Sequence, residues 1–221
     1  MILSWPAPNY IDPDTRGPAL YALSIILIIL GTIVVSIRTY TRLRITRAFG
    51  LDDGLIIVAF VLATGLSVLI ILGNKVYYSG RHVWDIPYST VVPHRHNIWW
   101  SELLYVLESC CAKISVLLFY RRLSISFTKR FFWATYIGLA INVVYLIVFV
   151  GVLCGMCTPL DAYWNSFDTS WSASHKHHCH PENITLPLSA AVSVATDLYA
   201  TLVPLFLIAS IQKTGRDKLA L

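Results

Sequence analysis

The stretch ALYALSIILIILGTIVVSI, residues 19–37, holds no charged side chain and decides the solvent in which this chain folds. A bilayer's hydrocarbon core is about 30 Å thick and takes roughly 20 helical residues to cross. Four further apolar runs, at 54–73, 98–120, 131–155 and 187–211, come close to that length or exceed it. Backbone polar groups in lipid must be satisfied within the segment, which selects helices. The expected fold class is therefore all-α, a polytopic transmembrane helix bundle with five helices. Residues 1–18 form a short outer segment, 19–211 the bundle and 212–221 an inner basic tail.

Composition agrees. Of 221 residues, 56% are hydrophobic and only 13% charged, outside the range of soluble domains. The net charge of +5 invites a nucleic-acid partner. Such a surface needs clustered basic residues on a water-soluble fold, whereas here they fall between membrane runs. No nucleic acid is expected; membrane lipids are.

The basic residues also give an orientation, because short cytoplasmic loops retain an excess of Lys and Arg. Arg38, Arg42, Arg44 and Arg47 follow the first run, and Arg121, Arg122, Lys129 and Arg130 follow the third. Lys213, Arg216 and Lys218 follow the fifth, while Arg16, Lys75, Arg81, Arg95 and Lys176 fall on the opposite side. The N-terminus is expected outside and the C-terminus inside. The sequon Asn183-Ile184-Thr185 lies in a loop assigned outside, as glycosylation requires. The first eighteen residues lack a basic start and contain Pro6, Pro8, Pro13 and Pro18, so the first helix is expected to serve as anchor.

Five cysteines divide by location. Cys110 and Cys111 fall inside the third run and read as small apolar packing residues. Cys157 and Cys179 lie in an outer loop, in the oxidising compartment. A bond between them would close a loop of about 22 residues and restrain it by a few kcal/mol; Cys154 competes for either partner. All seven histidines fall on the outer side. His175, His177, His178 and His180 crowd one loop. A solvated polar loop, a metal-recruiting tract and a pH-sensitive loop are all open readings, although the spacing matches no structural zinc signature.

Four charges lie within membrane runs: Glu102, Glu108, Lys113 and Asp197. Each costs about 2.5–3.5 kcal/mol on insertion scales and calls for a partner or a function. At 1.5 Å per residue Lys113 can pair with Asp197 or with Glu108 as a structural link. The alternative is a water-accessible cavity in which these groups bind a ligand or move a proton. Asp52 and Asp53 open the second helix, where carboxylates accept from unpaired N–H groups. Pro204 is expected to kink the last helix, and Trp84, Tyr88, Trp99 and Trp100 gather like an interfacial aromatic belt.

Several local patterns together resemble the fungus-specific rhodopsin-like family of seven-helix integral membrane proteins. They are Gly50-Leu51-Asp52-Asp53, Gly80-Arg81-His82 followed by Trp84-Asp85, and Lys113-Ile114-Ser115-Val116-Leu117-Leu118-Phe119-Tyr120-Arg121-Arg122. Cys157, Pro159 and Trp164 look like the family's Cys-x-Pro-x4-Trp element with Cys179 as its second cysteine, and Asp197 and Pro204 look like its last pattern here. Tyr78 departs from the family by standing where a glycine is frequent. The resemblance covers helices one to five, so the chain is expected to represent five of seven helices. It implies a receptor-like role at the plasma membrane or an endomembrane. Arg81, His82, Trp84, Asp85, Glu108, Lys113 and Asp197 are the ligand or cavity candidates.

The partners expected on that reading are a small-molecule or surface ligand and a heterotrimeric G protein. Tyr120-Arg121-Arg122 is placed like a coupling motif but lacks the preceding acid. No cofactor is expected: a retinal Schiff base needs a lysine that microbial rhodopsins carry on helix seven. The rival reading is a membrane-embedded isomerase or cyclase of lipophilic metabolism, with Glu108, Asp197 or His82 as general acid or base. A transporter would show internal repeats, and none is apparent.

Overall fold

A computed structural model describes residues 9, 13, 15, 17–123 and 129–219, the side chains of residues 83, 123, 130 and 203–219 excepted. Arg16, the ring of Pro204 and the side chains of Lys213, Arg216 and Lys218 thus lie outside the described residues. Helix α1 (Gly17–Tyr40) continues into a π turn at Thr41–Ile45, followed by α2 (Leu51–Lys75) and a 3-10 turn at Val83–Asp85. Then come α3 (Tyr88–Leu123), α4 (Lys129–Cys154), β1 (Cys157–Thr158), α5 (Ala162–Asn165), α6 (Thr169–Ser174), β2 (His178–Cys179) and α7 (Glu182–Leu219). Each apolar run falls within one long helix to within a residue. Among the described residues four helices, α1 to α4, are long and apolar enough to cross a membrane; α7 contains the fifth run.

The helices carry the chemistry of a lipid-facing surface. On α1, Leu23, Leu27 and Ile29 are each more than half exposed, and Leu27 and Ile29, two residues apart, lie on opposite sides of the axis. Such a surface suits hydrocarbon rather than water. Its hydroxyls are satisfied internally: Ser24 Oγ donates to the Leu20 carbonyl at 2.9 Å and Thr32 Oγ1 to that of Ile28 at 2.7 Å.

α3 begins at Tyr88, ten residues before its apolar run, and includes Pro93. These first turns are polar, with His94, Arg95 and His96, so hydropathy did not mark them as helix. α7 likewise begins at Glu182, which places Asn183, exposed, in its first turn.

The chain divides into two compact units. The first comprises the described residues of Met1–Ile37, Phe60–Glu108 and Val150–His180. Its core includes Val106, Leu153, Met156, Ala162 and Tyr163. β1 and β2 pair antiparallel there with Cys157 opposite Cys179, and a disulfide joins those two residues. Cys154 is free and exposed, so it does not compete for either sulfur.

The second unit comprises the described residues of Arg38–Ala59, Ser109–Phe149 and Pro181–Leu221. Cys110, Leu117, Ser115, Thr135 and Asn142 are among its most buried side chains. The Tyr199 hydroxyl donates to the Ala134 carbonyl at 2.6 Å and that of Tyr145 to the Ser189 carbonyl at 3.3 Å, tying α7 to α4.

Candidate functional site

The first unit holds an open pocket of about 500 Å³ lined by Tyr78, Arg81, Pro87 and Tyr88. It forms where α2 gives way to α3. The Ser79 N–H donates to the Gly73 carbonyl at 2.9 Å, closing a turn in which Tyr78 (φ 57°) is left-handed, and Gly80 (φ 89°) just after it is left-handed too. Glycine adopts that conformation freely, whereas a residue with a Cβ is strained by roughly 1–2 kcal/mol. Tyr78, the one departure from the family's turn, therefore sits where glycine would be relaxed. Its ring lies under the Arg81 guanidinium, 4.3 Å from the centroid.

The neighbouring candidates divide. His82 is exposed and stacks on Trp84, centroids 4.6 Å apart and planes within 4°. Asp85 is 4% exposed and accepts from the Asn9 N–H at 2.8 Å, which makes it an anchor for the chain ahead of α1. Tyr88 is fixed by its hydroxyl, which donates to the Phe167 carbonyl at 3.1 Å and accepts from the Thr169 N–H at 2.9 Å. Sequence reasoning assigned Tyr88 to an aromatic belt; the structure gives it a wall of the pocket. Trp99 also leaves the belt: it is 8% exposed, and its Nε1–H donates to the Leu153 carbonyl at 3.4 Å.

The histidine tract spans the end of the loop closed by the disulfide, with His180 just beyond it. His175 stacks on Trp171 at 4.6 Å, and His178 meets His180 edge-on at 5.3 Å. Among the described residues no three His, Cys, Asp or Glu side chains converge to hold a metal ion.

In the second unit the intramembrane charges pair. Lys113 Nζ lies 3.2 Å from Asp197 Oδ1 and donates to Ser193 O, Ser193 Oγ and Thr196 Oγ1 at 3.0–3.1 Å. The lysine side chain is 6% exposed and the aspartate side chain 56%. Of the two acids open to Lys113, the structure selects Asp197. Glu108 falls in the first unit, half-buried on α3.

A second ionic group gathers Asp52 and Asp53, both under 5% exposed, with three arginines. Arg38 Nε meets Asp53 at 2.9 Å and its Nη2 meets Asp52 at 3.1 Å. Arg42 reaches Asp53 at 3.6 Å, and Arg122 approaches Asp52 at 3.5 Å and Asp53 at 3.9 Å. Arg38 and Arg42 also lie over the Phe119 ring, each 5.2 Å from its centroid. The carboxylates do cap α2, since Asp53 accepts from the Gly50 N–H at 3.1 Å. Their larger role, binding α1 and α3, was missed. The signal available was the coincidence of two acids and three arginines at helix ends predicted on one side of the membrane.

Residues 37–221 match the family model described as the fungal rhodopsin domain. The chain belongs to that family. No curated protein and no solved structure matches it.

The name of the fungal rhodopsin domain raises retinal, which a rhodopsin holds through a lysine amine. Lys113 does not fit that role: its buried ammonium is enclosed by four oxygens, and a Schiff-base nitrogen would keep a single N–H for them. The enzyme reading finds no support either. His82 is stacked on Trp84, and Asp197 is paired with Lys113. What stands is an integral multi-pass membrane protein of the fungal rhodopsin domain family.

Proposed function

We propose that this protein is a receptor-like sensor of an extracellular or surface signal, N-terminus outside, in the plasma membrane. The observation that carries the reading is the pocket at Tyr78, Arg81, Pro87 and Tyr88. Among the described residues Arg81 has no anionic partner, although an arginine beside a pocket is a ready recognition group. The orientation rests on the loop charges, whose excess after the first and third helices supports an outer side for this pocket.

The inner partner on this reading is a heterotrimeric G protein. Arg122 lacks an acid immediately before it in sequence, and Asp52 and Asp53 of α2 supply one across the fold. Arg122 is the most exposed of the three arginines, its side chain 36% against 25% for Arg38 and 20% for Arg42, and is the arginine most readily released. Release would leave a cation at the inner end of α3 for a partner.

The test uses the intact protein in its native cells. Surface-induced signalling is compared between wild type and Arg81→Gln at equal surface abundance, with G-protein activation as a second readout. Loss of the response in Arg81→Gln is expected. A response of unchanged size in that variant, or in cells lacking the protein, would sink the reading.

A further inference from the structure

We infer that the pocket beside Arg81 takes a small organic anion, a carboxylate borne on a flat apolar body such as an aromatic acid. The assignment deepens the receptor-like reading and rests on it for the purpose of the pocket. The chemistry of the walls carries it.

Arg81 provides the only formal charge among the four lining residues. The nearest acid in sequence, Asp85, is buried and accepts from the Asn9 N–H, and no ion pair engages the Arg81 guanidinium among the described residues. Its contact with the Tyr78 ring, at 4.3 Å, holds one flat face of the guanidinium. The in-plane N–H groups are the part that recognises anions, and they match a carboxylate with two parallel hydrogen bonds.

The remaining walls are flat, with the phenol hydroxyls of Tyr78 and Tyr88 as their polar side-chain groups. Pro87 gives a rigid aliphatic surface. The hydroxyl of Tyr88 is committed to Phe167 and Thr169, at 3.1 and 2.9 Å, so what this residue offers a ligand is its exposed ring face. Two ring faces, a proline and one cation suit a planar body with an anionic head. They suit a fully hydrated inorganic anion poorly, because such an ion finds a single cation and, beside it, only the phenol hydroxyl of Tyr78 as an uncommitted donor among the lining side chains. A volume of about 500 Å³ is within the range of small-molecule sites and has room for one or two rings. A cationic or neutral ligand would leave Arg81 unused.

The experiment is fluorine NMR of 4-fluorobenzoate with the purified full chain in phosphatidylcholine nanodiscs, which carry no net lipid charge. The neutral isostere 4-fluorobenzamide serves as the comparison, and Lys75→Gln, a cation lying over Tyr21, as the control variant. Saturable broadening of the benzoate signal is expected, with a Kd roughly ten- to hundredfold weaker in Arg81→Gln. Tyr88→Ala should weaken it independently, and Lys75→Gln should leave it unchanged. Equal uptake of benzoate and benzamide, or benzoate binding indifferent to both Arg81→Gln and Tyr88→Ala, would mean partition into the lipid and overturn the assignment. The two readings fail separately. Benzoate binding by a protein without signalling output would remove the receptor role and keep the ligand class. A signalling response abolished by Arg81→Gln, with no benzoate binding, would do the reverse.

Discussion

Lys113 and Asp197 show what a single buried charge demands. The ammonium is enclosed and the carboxylate more than half exposed, so the cost of losing one partner should fall below the 3–5 kcal/mol of a fully buried pair, at about 2 kcal/mol. Asp197→Leu and Lys113→Met should each lower the thermal stability of the detergent-solubilised protein, and the double variant should regain most of the loss. A double variant as unstable as the sum of the singles would show that the pair contributes no coupling. The sequence identified both residues as costly in lipid but left Glu108 open as an alternative acid, because depth along a helix does not say which face meets which neighbour.

Asp168 makes a smaller case, outside the membrane helices. The Ser170 hydroxyl and then the Ser170 N–H donate to its carboxylate, at 2.7 and 2.9 Å, and hold its pKa below the usual value. A depressed folded-state pKa contributes stability that is present above the unfolded value, about 3.9, and is lost as pH falls through the folded one. Amide exchange in α6 should therefore accelerate, relative to intrinsic rates, as the pH is lowered through that range. Asp168→Asn should remove the pH dependence.

Between elements, the acids at the start of α2 hold the ends of α1 and α3. Asp53 is the more buried and has three arginines and the Gly50 N–H around it. Asp53→Ala should cost about 3 kcal/mol in unfolding experiments, and Asp52→Ala less, because it pairs with two arginines rather than three. Gly50→Ala tests the same junction from the backbone. A Cβ there would stand 2.5 Å from Asp52 Oδ1 and 2.9 Å from Arg122 Nη1, so it should displace Arg122 before it disturbs Arg38. Little of this was legible. Arg38 and Arg42 read as loop charges because hydropathy ends the first run at residue 37, whereas α1 and its π turn carry the helix on to Ile45. The helical start of α3 was hidden for the same reason, by polar turns ahead of an apolar run.

For the whole molecule, long apolar runs and loop charge were enough to read the fold class, since lipid leaves the backbone few choices. The pocket was only partly legible. Arg81 was singled out from its motif, but Tyr78, Pro87 and Tyr88 join it through a left-handed turn and a hydroxyl bond to Phe167, neither of which has a periodic signature. The disulfide is the long-range restraint on this part of the chain. Its 22-residue separation predicts about 3 kcal/mol of chain-entropy stabilisation, so Cys179→Ser should lower stability by about that amount and reduction of the wild type should match it.

The sensor reading depends on which side of the membrane the pocket faces, and membrane-impermeant maleimide labelling of intact cells measures that. In a Cys154→Ser background, which removes the exposed free thiol, His82→Cys reports on the pocket side and Arg44→Cys on the basic loop after α1. Labelling of His82→Cys in intact cells, with Arg44→Cys reached only after permeabilisation, is the expected result. Labelling of Arg44→Cys in intact cells with His82→Cys protected would place the pocket inside and contradict an outward-facing receptor.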